Sequence, residues 1–457
     1  MRTVTVVGAS LSGLYAAREL RAQGFDGRLV IVGDEPHAPY DRPPLSKDFL
    51  TGRADESALS LLDAGDRAEL DAEWLLGVRA RALDARGRTV LLDDGRTVST
   101  DGVVIATGAS ARRLPRDGLS GVHTLRTLDD ARGLREDLTH GPRRVVVVGA
   151  GFIGAETASA CAALGHGVTV VEAAPLPLLP QLGAELAAVC AALHRRGGVE
   201  LVTGVGVAGL RGTVAVTGVD LSDGRVLPAD VVVVGIGATP NTTWLAGSTL
   251  ALHDGVLCDD GCVTSLPQVV AVGDVARVGG TRAEHWTSAT EQPRVAVANL
   301  LAGHTAGTVR SVPYFWSDQY GARIQFAGRR REGDTVRIVE GDPAGLVEAD
   351  PAPGDLTGVA GPAPGPGQAP SASTATATAT ATAKSTSAST PVSTSPGFLA
   401  VYEREGRTTA VLAVDRPRAF LRARRELSRD LGRDLDLAPE PSREPGPEEA
   451  WKAPSRM

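Results

Sequence analysis

Two short β-branched runs each end in a glycine turn, and the turns begin about 140 residues apart. The first run, Thr3–Val7, enters Gly8-Ala9-Ser10-Leu11-Ser12-Gly13. The second, Arg144–Val148, enters Gly149-Ala150-Gly151-Phe152-Ile153-Gly154. A helical pattern follows each turn, and then another β-branched run: Leu29–Val32 after the first, Val168–Val171 after the second. Continuous β-branched runs mark parallel strands buried on both faces. A strand, a tight glycine turn, a helix and a second strand ending in an acid form a dinucleotide-binding unit. The turn lets a pyrophosphate approach the backbone, the helix N-terminus offers it unpaired N–H groups, and the acid accepts from a ribose.

The two units differ. In the first, Ser10 replaces the middle glycine; its hydroxyl can bond a phosphate, but its Cβ narrows the approach. Asp34 or Glu35 is the ribose acceptor there. The second unit keeps all three glycines, and Glu172 lies 172 − 149 = 23 residues after Gly149, close to the expected spacing of about 20. A carboxylate here favours a free 2′-hydroxyl and repels a 2′-phosphate, so NADH is expected over NADPH. A simple dehydrogenase needs one such unit. Two suggest a flavin dinucleotide in one and a nicotinamide in the other.

The loops around them place the flavin first. Val103–Ile105 runs into Ala106-Thr107-Gly108, and Val231–Val234 into Gly235-Ile236-Gly237. This pair reads as the exit from one domain and the return to it. Val269–Val272 ends at Gly273-Asp274, where the carboxylate either takes a ribityl hydroxyl or caps the turn. The expected fold is α/β, with two nested Rossmann-like dinucleotide-binding domains and a C-terminal α+β domain. The FAD domain takes 1–110 and 232–308, and the NAD domain 111–231. The C-terminal domain takes 309–425, and 426–457 is a polar tail. Residues 351–397 are Pro-, Ala-, Ser- and Thr-rich with almost no large apolar side chain. They are expected to be a disordered insert in the third domain.

Composition narrows the function. A net charge of −7 lacks the basic footprint of a nucleic-acid binder. No apolar run is long enough for a membrane span. A glycine turn at residue 8 leaves no room for a cleavable leader, so a cytoplasmic location is expected. The cysteines stand at 161, 190, 258 and 262, without the spacing of a zinc site or a CxxC dithiol. Cys161 and Cys190 read as core residues, and Cys258 and Cys262 as surface thiols.

At this point the sequence resembles bacterial FAD-dependent ferredoxin reductases of the one-component, glutathione-reductase-like class, which serve cytochrome P450 and ring-hydroxylating dioxygenase systems. The matching stretches are GASLSG (8–13), GDEPHAPYDRPPLSKDFL (33–50), VIATGA (104–109), GAGFIGAE (149–156), GIGATPN (235–241), AVGDVA (271–276), RAEHW (282–286) and VPYFWSDQYGARIQFAG (312–328). The resemblance implies non-covalent FAD, NADH as donor and a small iron–sulfur ferredoxin as acceptor. A monomer or homodimer is expected, and the cysteine spacing leaves no metal site expected. It implies that Lys47 lies near flavin N5, with Glu156 facing it across the nicotinamide site. Asp274 becomes a ribityl ligand and Arg42 a flavin-phosphate or nucleotide contact. Trp286 and Trp316 become aromatics at the isoalloxazine edge, with Glu284 and His285 beside them. Pro293 is expected to kink the helix that follows Trp286. A pyridine-nucleotide:disulfide oxidoreductase or NADH oxidase is the competing reading, and needs a cysteine near the flavin. A non-catalytic redox-sensing flavoprotein is a third.

Overall fold

The computed structural model describes residues 1–115, 117–310, 312–347 and 397–437, with side chains to 430. The 351–397 insert lies outside the described residues except for Gly397, as do residues 438–457.

Each β-branched run sits inside a five-stranded parallel sheet. Across the first sheet the order is Val269–Ala271, Gly102–Ile105, Thr3–Val7, Arg28–Gly33 and Ala72–Leu76. The second runs Glu200–Thr203, Gly167–Glu172, Arg144–Val148, Val231–Val234 and Val122–His123. Both glycine turns therefore leave the middle strand of a sheet that has helices on one face and a small three-stranded antiparallel sheet on the other. The two turns repeat one another closely. Gly8 N donates to Val32 O at 2.7 Å, and Gly149 N to Val171 O at 2.8 Å. The two crossing segments, Ala109–Ala111 and Ala238–Pro240, pair antiparallel.

The third unit is a five-stranded antiparallel sheet ordered Tyr314–Gln319, Ala322–Gly328, Arg407–Val414, Phe398–Arg404 and Thr335–Gly341. Period-two alternation gives it two apolar faces. Ile324, Phe326, Ala400, Tyr402 and Leu412 pack on Leu182, Leu186 and Leu193 of helix Leu179–Arg196. Val401, Val411 and Ala413 pack on Phe420 and Leu427 of helix Pro417–Leu437.

The helix after His285 runs from Trp286 to Ala302 as one element with Pro293 inside it. Ala296, Val297 and Leu300 bury it against Leu14 and Ala17 of helix Leu11–Ala22, and that burial offsets the one lost N–H. Two expectations need correction. Cys262 is fully buried and Cys258 is partly covered, because Val263 pairs back on Val270 in the edge strand of the first sheet. The polar tail begins as helix, since Pro417–Leu437 carries on past residue 425. No helix among the described residues is long and apolar enough to cross a membrane.

Candidate active site

One cavity of about 1010 Å³ reaches both glycine turns. At the first turn Gly8 has φ +121°, and a Cβ there would stand 2.0 Å from Ala106 O. At the second, Gly149 has φ +97°, and a Cβ would stand 2.4 Å from Gly235 O. Only glycine lets the strand end, the turn and the neighbouring crossover approach this closely. The backbone cradles thus remain open, and the residues present fit two dinucleotides.

The first-turn residues Gly8, Ser10, Leu11 and Ser12 line the cavity, with Ala106, Thr107 and Gly108 beside them. Gly13 packs beneath, against Gly8 O. Glu35 and Arg42 form a 2.6 Å ion pair. Arg42 also donates to Ser10 Oγ at 2.7 Å, and Tyr40 donates to Glu35 at 2.5 Å. Burial, more than the neighbouring carboxylate, pushes the Tyr40 phenol far above its ordinary range. Asp34 also lines the cavity, paired with Arg79 at 3.2 Å on its more exposed side. Of the two acids offered for the ribose, Glu35 is therefore the one built into the inner network.

Asp274 lines the cavity, but one of its oxygens is held by Arg126 at 2.7 Å. Gly273 lies behind it and donates to Gln292 Oε1 at 2.7 Å. Glu284 faces Arg282. His285 is the N-cap of helix Trp286–Ala302 and makes no side-chain capping bond. The first-turn N–H groups of that helix are thus left without a side-chain cap at the cavity wall. Burial lowers the His285 pKa, so the imidazole is neutral at neutral pH. Trp286 donates to Asp41 at 3.2 Å and meets Trp316 edge-on, with centroids 6.3 Å apart.

At the second turn Gly151, Phe152, Ile153, Glu156, Gly235 and Gly237 line the cavity, whereas Gly149, Gly154, Glu172 and Ile236 do not. Glu172 accepts from Ala150 N at 2.8 Å and Ala174 N at 2.9 Å. Its carboxylate therefore braces the glycine turn as well as ending the strand.

Between the two turns, Lys47 and Glu156 meet at 2.5 Å. Glu156 is 3% exposed and accepts from three side chains on two separate segments. Ser46 and Lys47 reach Oε2 at 2.5 Å each, and Ser317 reaches Oε1 at 2.6 Å. Sequence reading missed Ser46, Ser317, Arg126, Tyr40 and Phe315. Four of them had a signal, since Tyr40 and Ser46 lie in GDEPHAPYDRPPLSKDFL and Phe315 and Ser317 in FWSDQY. Phe315 stacks between Phe326 and His285 and touches Phe152, joining the third sheet to the second turn.

Residues 2–293 match the family described as pyridine nucleotide-disulphide oxidoreductase. The chain belongs to that family. The chlorobenzene dioxygenase ferredoxin reductase component of Cupriavidus sp. (strain PS12) is 39% identical over 332 residues, 71% of this chain and 80% of that protein. Rhodocoxin reductase of Rhodococcus erythropolis is 35% identical, covering 73% and 79%. Among solved structures, a ferredoxin reductase from Rhodopseudomonas palustris superposes with a TM-score of 0.79 at 30% identity, covering 94% of this chain and 95% of that one. The reductase in the covalent putidaredoxin reductase–putidaredoxin complex gives 0.78 at 29%, covering 93% of each chain. The resemblance drawn from the motifs therefore holds, and this oxidoreductase uses a flavin and a pyridine nucleotide. None of its four cysteines lines the cavity. Burial pushes the thiols of Cys161, Cys190 and Cys258 up to about 12, which keeps them protonated and unreactive.

Proposed function

We propose that this protein oxidises NADH and reduces a ferredoxin serving an oxygenase, with FAD held non-covalently at the first glycine turn. The observation that carries this reading is the buried Lys47–Glu156 pair, set between two dinucleotide cradles in one cavity. A flavin, when bound, supplies the chemistry joining donor to acceptor: it takes electrons in a pair and releases them singly. The chain supplies position and charge.

Arg42, fixed by Glu35 and Tyr40, offers a cation beside the first turn for a phosphate. The uncapped N-terminus at Trp286 offers partial positive charge. Lys47 brings a full cation to the centre, and Glu156 keeps it there. At the second turn the N-terminus of helix Phe152–Ala163 receives the NADH pyrophosphate. The Trp286–Trp316 pair walls the edge of the same cavity, where single electrons leave for the acceptor.

The relatives' names support a ferredoxin acceptor and an oxygenase beyond it. The reading places the protein in the cytoplasm as a monomer or homodimer. The absence of a cysteine from the cavity counts against thiol-disulfide exchange and against an oxidase with a redox cysteine. The test is NADH-driven cytochrome c reduction with and without ferredoxins. Ferredoxin-dependent stimulation is expected; equal rates with every ferredoxin tried would refute the acceptor.

A further inference from the structure

Glu156 receives more hydrogen bonds than an ion pair with Lys47 needs: Ser46 adds one at Oε2, and the one at Oε1 comes from the third unit. Ser317 is 0% exposed and donates to Glu156 Oε1 at 2.6 Å. Behind it Gln319, 1% exposed, donates from Nε2 to Ser317 Oγ at 2.9 Å. The directions are forced. An ionised carboxylate only accepts, so the single Ser317 proton goes to Glu156, and Gln319 must turn its NH₂ toward Ser317. That orientation leaves Gln319 Oε1 buried with no partner, which costs stability. A packing role does not require that cost, since an apolar side chain would fill the same space.

We infer that Ser317 and Gln319 are positioning residues. They form a donor relay that fixes the Glu156 carboxylate so that it holds the Lys47 ammonium at the centre of the cavity. The inference rests on the proposed function, because it concerns the same site. Strand alternation isolates the relay. Ser317 and Gln319 face the helix carrying Glu156, whereas Tyr314 and Trp316 point to the opposite side and stack with centroids 5.8 Å apart. Without Ser317, Oε1 of this 3% exposed carboxylate loses that donor. The carboxylate turns to find one, and Lys47 follows it away from the flavin.

The test compares Ser317→Ala, Ser317→Thr and Gln319→Met as FAD-loaded proteins. With Ser317→Ala, NADH-driven flavin reduction at saturating NADH should slow about tenfold, as for loss of a hydrogen bond to a charged group. KM should stay within about twofold, because the nucleotide contacts of the second turn are untouched. The midpoint potential of bound FAD should move negative, since a displaced cation stabilises the electron-rich flavin less. Ser317→Thr, which keeps the hydroxyl, should restore rate and potential. Gln319→Met should shift both in the same direction by less, and it carries the test alone if Ser317→Ala fails to retain FAD. A wild-type potential and rate in Ser317→Ala, or a Thr variant as impaired as the Ala variant, would overturn the relay. A wild-type protein that NADH cannot reduce would instead refute the function on which the relay rests.

Discussion

Lys47 and Glu172 show how different two charged site residues can be. Lys47 touches one carboxylate, in the middle of the cavity. Lys47→Ala should slow flavin reduction by NADH about tenfold or more, as for loss of a hydrogen-bonded charge, while FAD content stays near wild type. A rate equal to wild type in stopped-flow would contradict its role. Glu172 lies outside the cavity lining and braces the second glycine turn by accepting from Ala150 N and Ala174 N. Glu172→Arg should therefore lower kcat/KM for NADH about tenfold and narrow the gap to NADPH. Steady-state kinetics with both nucleotides check this. His194 makes a prediction about stability. It is buried against Tyr320, with ring centroids 5.0 Å apart, and burial lowers its pKa from 6.5 to about 4. The unfolded chain binds the proton more readily, so the neutral ring contributes stability above about pH 6.5, and that contribution is lost as pH falls toward 4, amounting to about 3 kcal/mol at most. Urea midpoints should fall less steeply across that window in His194→Gln than in the wild-type protein.

Strand Tyr314–Gln319 gives two kinds of chemistry to its two faces. Phe315, Ser317 and Gln319 turn toward the second glycine turn and Glu156; Tyr314 and Trp316 turn toward Trp286 and Phe420. Trp316→Leu should therefore slow reduction of ferredoxin while leaving NADH-driven flavin reduction within about twofold, since the relay lies on the other face. Rapid-mixing measurement of each half-reaction separates the two. FWSDQY is thus legible as a motif, but its division of labour becomes visible only once the strand has a register. The parallel strands were legible because burial on both faces demands continuous β-branched runs, as in Val231–Val234. Pro293 weakens its helix locally, and tertiary burial of Ala296, Val297 and Leu300 holds the helix around it. Cys262 misled because a turn-rich sequence does not say which side of the turn faces the core.

The whole molecule brings its site together from segments far apart in the chain. Arg126 meets Asp274 across 148 residues, and Ser317 meets Glu156 across 161. Asp274, Glu156 and Ser317 lie in matched stretches, but Arg126 lies in none, and the pairings themselves carry no local pattern. The glycine turns were readable, because their spacing is dictated by the phosphate they receive. The third sheet also bears on the long low-complexity stretch. Its flanking strands, Thr335–Gly341 and Phe398–Arg404, are paired neighbours, with Gly341 opposite Phe398. Replacing residues 351–396 with a short turn should therefore preserve FAD content and the rate of reduction by NADH, both measurable on the purified variant. The arrangement as a whole requires that one cavity hold flavin and nicotinamide together around Lys47 and Glu156. Anaerobic titration of the FAD-loaded protein with NADH addresses this directly. One equivalent of NADH should bleach the visible flavin band, and the same titration of Lys47→Ala should bleach it more slowly. A flavin band that persists under excess NADH would contradict the arrangement.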